Sequence, residues 1–364
     1  MIDFTSQPPM PPVGVRASDW SLADNCNFAS QICNSIYHAI SVALVREVGH
    51  DRTYEIHAQM LRHHQEHFFL PGLKKLGLDR EASDAVRCAK YHCLSNGLGG
   101  LRMGYAVEST SKVWLFYLPH VPDNAWAGQG SLAHSRGNMM SDYIGWHANN
   151  GTRLGNRGLR YVATQFVCDG DRYDGGYFED TGRELRPDEL AIERLAEQLP
   201  AHLEIRAWST ELDPTEWPEE RRSKALRNYA VTWAADRVWS VLQSCGEQGE
   251  TVARRGIQAT LFAWLARFHA AVGDASDRAL ELARFVELFH STGGIASRLE
   301  ASSSGWNLAV DKGLAEFVGG PLPPEQQAWV ARVFTASWDA VARPLGCSIA
   351  ADDLGRRWSV KRVA

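Results

Sequence analysis

The chain has no cysteine framework. Its seven Cys are an odd number without CxxC spacing, which argues against a disulfide scaffold and fits reduced thiols in a cytoplasm. The N-terminus lacks a basic region followed by an apolar run, so no secretory signal is expected. No stretch approaches the roughly 20 apolar residues that a membrane-spanning helix requires. A basic cluster is missing as well: the net charge is −5 and Lys and Arg are scattered, so there is no footprint for nucleic acid. A soluble cytoplasmic protein with neither a membrane nor a nucleic-acid partner is the expectation. GxSxG, P-loop and HExxH patterns are missing too. The run Gly97–Gly100 follows a helical segment rather than a strand, so it reads as a helix stop and not a dinucleotide fingerprint.

What is present is ordinary globular material. A chain of 364 residues, 45% hydrophobic and 22% charged, suits two domains of about 150–190 residues and argues against disorder. Thirteen Trp supply core packing and can line a pocket for a planar ligand. A Pro-rich arm, Pro8-Pro9 and Pro11-Pro12, opens the chain and is expected to lie extended.

Apolar residues at helical spacing (Phe28, Ile32, Ile36, Ile40) predict a helix over 27–48, and a second is expected over 52–70, stopped by Pro71-Gly72. A third is expected over 79–94. The period then changes: 103–108 and 113–117 read as strands around a polar turn. A helix near 131–149 and a hairpin from 161–168 and 177–179 complete the first half. The second half repeats this order, with helices over 223–244, 250–271 and 277–290, a hairpin over 298–310, a helix over 325–341 and a closing hairpin near 348–363.

Self-comparison supports a duplication. At an offset of 198, Asp79-Arg80 meets Asp277-Arg278, Tyr91 meets Phe289 and His92 meets His290; at 192, Glu108 meets Glu300, Trp114 meets Trp306 and Trp146 meets Trp338. The expected architecture is therefore α+β: two tandem diverged repeats, each a helical segment followed by a small antiparallel sheet, related by a pseudo-two-fold. The expected division is an arm over 1–26, a first repeat over 27–185 with the candidate site, a linker over 186–222, and a second, degenerate repeat over 223–364.

The sharpest local feature is the histidine-rich run from His57 to Phe68. On a helix at about 100° per residue, His57, Met60, His64 and His67 fall on one stripe, while Glu55, Gln59, Arg62 and Glu66 occupy the opposite face. Imidazoles turned inward need partners. They can satisfy backbone carbonyls, line a polar ligand pocket, or hold a metal. His64 and His67, at i and i+3, can share a divalent metal ion, whereas His57 lies two turns away. The equivalent second-half helix has no His between 251 and 268, which places any function of the cluster in the first half. His92 and Cys93 sit at a helix end before the glycines. His92 recurs as His290 and Cys93 does not. Neighbours on a helix diverge in direction, so a Cys–His dyad is not expected from them. The Asp- and Gly-rich 168–176 lacks the twelfth-position Glu of a Ca²⁺ loop and reads as a hairpin turn.

The order of segments, with Ala43–Gly49 leading into the 52–70 helix, then 87–100, the 107–117 hairpin and Phe166-Val167-Cys168-Asp169, resembles the L-2-amino-thiazoline-4-carboxylic acid hydrolase-like family over about residues 30–180. The resemblance implies a hydrolase acting on a small heterocycle with a C=N bond. Its expected catalytic residues are His64, His67 and His92, with His64 and His67 as ligands if a metal is used. Substrate is expected to meet His57, Met60, Tyr105, Trp114 and Cys168. Two other readings stand beside it: a non-catalytic small-molecule binding or sensing module with an aromatic pocket, and a metal-free enzyme of specialised or aromatic metabolism. A small-molecule substrate is the expected partner, and a homodimer is compatible with the sequence.

Overall fold

A computed structural model describes residues 20–117, 135–272, 277–318, 320 and 322–363, with backbone only for 269–272. Most of the Pro-rich arm and the start of the helix expected near 131 lie outside them. The described chain is α+β, with six longer helical elements, one five-residue helix and two antiparallel-based sheets.

Element α1 (Leu22–Lys75) is two helices joined end to end at a kink, as the sequence predicts. Ser21 caps it, its Oγ accepting from the Asp24 N–H. The expected break survives as a kink at Gly49, whose φ of 80° and ψ of 173° lie in backbone space that is essentially reserved for glycine. The expected stop at Pro71-Gly72 is overridden. Pro71 removes one helical hydrogen bond, yet Leu73 beyond it is buried, and a Cβ on Gly72 would stand 2.7 Å from the Tyr91 ring. Packing carries the helix one turn past its proline. By composition α1 is long and apolar enough to cross a membrane, but 78% of that apolar window is buried inside the fold, as in a core helix.

The chain divides into two compact units, and Gly49 marks one division. The first unit holds 49–117 and 135–222; the second holds 20–48 and 223–363. This corrects the expected domains in two places. The N-terminal half of α1 belongs with the second unit, and 186–222 is no linker but part of the first unit.

In the first unit, α2 (Asp84–Leu98) starts five residues later than expected, where Ser83 accepts from Val86 N–H at 3.2 Å. Strands β1 (Met103–Val107), β2 (Lys112–Tyr117), β3 (Leu159–Gln165) and β4 (Asp174–Asp180) form a sheet in the order β3-β4-β2-β1. Its edges are extended by β5 (Ala191–Glu193) beside β3 and β6 (Arg206–Ala207) beside β1. The register places Tyr105, Leu115, Phe178 and Tyr161 on one face and Trp114, Phe116, Tyr177 and Val162 on the other. Helices cover the first face. Ile192, Leu199, Leu203 and Ile205, from the stretch expected to be a linker, cover the second. Glu197 pins that covering segment by pairing with Lys112 and accepting from the Tyr177 hydroxyl.

Between the hairpins lie α3 (Arg136–Gly145), a 3₁₀ turn over His147–Asn149 and a five-residue helix, Asn150–Leu154. The single helix expected near 131–149 is thus a broken one. Gly145 allows α3 to press against α1, since a Cβ there would sit 2.7 Å from the Ala58 carbonyl oxygen.

In the second unit, α4 (Glu219–Val272) is again two helices joined at a kink, here at Gly246. Gly256 lets it approach Ile40 of α1, and Arg237 reaches the Tyr37 hydroxyl at 2.8 Å. Helices α5 (Arg278–Thr292) and α6 (Pro324–Ala342) pack on strands β7 (Ser297–Ser302), β8 (Gly305–Val310), β9 (Cys347–Ala351) and β10 (Arg357–Arg362). That sheet runs β7-β8-β10-β9, the same path as β1-β2-β4-β3.

Candidate active site

The C-terminal half of α1, α2, the α3-to-Leu154 segment and one face of the first sheet bring polar side chains together inside the first unit. His57 points inward from α1 and is 2% exposed. Its Nε2 meets Asp142 Oδ1 of α3 at 2.5 Å, the close approach that Gly145 makes possible. This is a charge-assisted hydrogen bond between a buried imidazole and a half-buried carboxylate.

Deeper in, His92 of α2 and His147 stack with ring centroids 4.0 Å apart and planes 15° apart. Phe178 of β4 lies 5.5 Å from each ring and nearly parallel to both. Burial pushes the His92 imidazole well below its usual pKa, and His147 lowers it further. Burial likewise takes His147 down to about 4, against an opposing pull from Asp142. Both rings are therefore neutral near pH 7. Asn150 Nδ2 contacts His92 Nε2 at 2.7 Å, and the Tyr117 hydroxyl contacts His147 Nε2 at 3.1 Å. Tyr143 and Tyr161 close the far side with rings 4.5 Å apart. Neither hydroxyl has a hydrogen-bond partner among the described residues, and burial raises both phenol pKa values, so neither ionises. Such a set can donate hydrogen bonds, accept a proton and hold a planar ring.

The expected site residues divide. His57 and Met60 are buried on α1, and His92 is at the centre of the cluster. His64 is buried beside the others but packs its ring on Phe68 at 4.4 Å and Trp146 at 5.0 Å. His67 is half-buried; its Nδ1 bonds the His63 carbonyl at 2.8 Å and its ring lies against His63. Among the described residues no three His, Cys, Asp or Glu side chains converge in a way that could hold a metal ion. His64 and His67 thus have no third ligand for a divalent metal among those residues. Tyr105 faces the helices and donates to Glu211 at 2.8 Å. Trp114 lies on the opposite face, its Nε1 donating to Glu108 at 2.7 Å, away from the imidazoles. Cys168 is exposed on a turn after β3. Burial raises the thiol pKa of both Cys88 and Cys93, which keeps them protonated.

Asp142, His147, Asn150, Tyr117, Tyr143, Tyr161 and Gln65 were not singled out from the sequence. A weak signal existed: Asp142, Tyr143 and His147 lie within one short aromatic-rich segment of the first half. The chain matches no protein-family model, no curated protein and no solved structure.

Proposed function

We propose that the first unit is a hydrolase acting on a small heterocyclic molecule with a C=N bond, by acid/base chemistry without a metal. The observation that carries this reading is the His57–Asp142 pair, 2.5 Å apart, beside neutral imidazoles and protonated phenols. The Asp142 carboxylate orients the His57 ring through Nε2 and stabilises the charge the imidazole gains when it takes up a proton. Water then adds across C=N: its oxygen bonds the carbon, the π pair moves to nitrogen, and His57 takes the water proton and returns one to that nitrogen. The new hydroxyl next gives its proton to His57 as C=O forms and the C–N bond breaks. The electron pair of that bond leaves on the nitrogen, which takes the proton from His57 as an amine. His57→Gln and Asp142→Asn, assayed on a panel of cyclic amidines and thiazolines, should each lower kcat by roughly 10²–10⁴-fold. The double variant should be little worse than either single one, because the pair acts as a unit. Turnover that survives both substitutions rules the reading out.

One observation favours a second reading, a binding or sensing module. His92 and His147 are each only 3% exposed, deeper than most reacting groups. Under that reading a member of the same panel stabilises the protein without being consumed.

We also infer that the two halves are diverged copies with the second degenerate. Three features support it: two 54-residue helical elements kinked at glycine, two 15-residue helices after them, and two sheets with one strand path. At the 198 offset the second half has Phe262 and Leu265 where the first has His64 and His67.

A further inference from the structure

A chain of donors running in from the surface fixes how His92 can act, an inference that rests on the reading above and deepens it. Arg153 can only donate. Glu66 holds its Nη2 at 2.8 Å, and its Nε donates to Gln65 Oε1 at 3.3 Å. The amide of Gln65 is thereby oriented, so its Nε2 faces Asn150 and donates to Oδ1 at 3.2 Å. Asn150 is oriented in turn, and its Nδ2 donates to His92 Nε2 at 2.7 Å. That nitrogen is an acceptor, so the hydrogen of the neutral ring sits on Nδ1. Stacking on His147 and Phe178 sets the plane in which Nδ1–H points.

The fold does not require this arrangement. In the second half the corresponding histidine, His290, is buried with its Nδ1 bonded to the Val286 carbonyl at 2.8 Å. The left-handed caps Gly155 and Gly346 align the two segments that follow α3 and α6. Asn150 and Arg153 then stand opposite Val341 and Pro344. Two polar residues in one half meet two apolar ones in the other. Burying a polar relay costs free energy unless every member is satisfied, and here one is built where the copy does without.

We propose that Arg153, Gln65 and Asn150 are positioning residues that lock His92 as the neutral Nδ1–H tautomer. His92 therefore serves the site as a hydrogen-bond donor, polarising the acceptor atom of the bound molecule, while His57 is the base. Neutral donors of this kind suit a C=N nitrogen or a carbonyl oxygen.

The test is made on the full chain without substrate, labelled with ¹⁵N in its histidine rings. Long-range proton–nitrogen correlation distinguishes a pyrrole-type from a pyridine-type nitrogen, and His92→Gln assigns the signal. The expected result is a pyridine-type Nε2 and a protonated Nδ1 at pH 7. Gln65→Glu, isosteric but unable to donate, should reverse the relay: Asn150 turns its Nδ2 to the new carboxylate and its Oδ1 to His92, which must then carry its hydrogen on Nε2. Asn150→Asp should impose the same reversal and raise the His92 pKa. A protonated Nε2 in the parent chain overturns the proposal, as does an unchanged tautomer in a folded Gln65→Glu variant with native circular dichroism. Because no turnover is measured, this outcome stands apart from that of the His57 and Asp142 substitutions.

Discussion

Lowering the pH from 7 to 4.5 should destabilise both units, and the size of the loss follows from two imidazoles. His147 in the first unit and His290 in the second are buried, and burial lowers each from 6.5 to about 4. As the pH falls through 6.5 the unfolded chain takes up a proton on each ring, whereas the folded chain does so only near 4. The unfolded state therefore binds more protons between these values, and stability falls with pH across that window. Integrating between the two values gives about 2 kcal/mol per ring lost between pH 7 and pH 4.5. His92 acts in the same direction within the first unit. Urea unfolding followed by Trp fluorescence at both pH values measures the loss. Exposed carboxylates contribute equally to parent and variant, so the informative quantity is the difference. His147→Gln should shrink the acid-induced loss of the first unit by about 2 kcal/mol, and His290→Gln should do the same for the second. If His147→Gln loses as much stability on acidification as the parent chain, the imidazole is not held neutral by burial and the reasoning fails.

Other consequences can be checked separately. Gly49→Ala places a Cβ at φ 80° and should cost about 1–3 kcal/mol in urea unfolding, although open space surrounds the position. Trp114→Ala should cost about 3–5 kcal/mol, since the ring is fully buried between the sheet and its covering segment. Glu197→Ala should speed amide exchange across 191–207 well ahead of the sheet strands, because Lys112 and Tyr177 lose the group that pins that segment. Cys168 should react quickly with a thiol reagent under native conditions, while buried Cys26, Cys33, Cys88, Cys93 and Cys347 react only on unfolding.

Much of the local structure was legible because it depends on neighbours in sequence. The alternation of Met103–Val107 and Lys112–Tyr117 reports a sheet with a helix-facing side, and the strands fall within a residue of their expected ends. Turn and stop signals were less dependable. Pro71 stops a helix in isolation, yet Leu73 and the Tyr91 contact hold the chain helical beyond it. The acidic, turn-rich 186–222 reads as a linker because its apolar residues are sparse. Four of them suffice to cover the second face of the sheet.

The candidate site divides along the same line. Helical periodicity alone turned His57 and His64 inward, since 3.6 residues per turn puts them on one stripe. Which partner each imidazole meets is not encoded in any local pattern. Asp142 is 85 residues from His57 in sequence and Asn150 is 58 from His92, and they meet only because α3 and the turn after it pack against α1 and α2. The sequence by itself determined the helices, the strands and the inward histidines, through short-range geometry and the burial of apolar faces. Tertiary packing decided that His57 meets a carboxylate, His92 an amide and His147 a phenol, because hydrogen bonds between distant segments form only once the segments are held together.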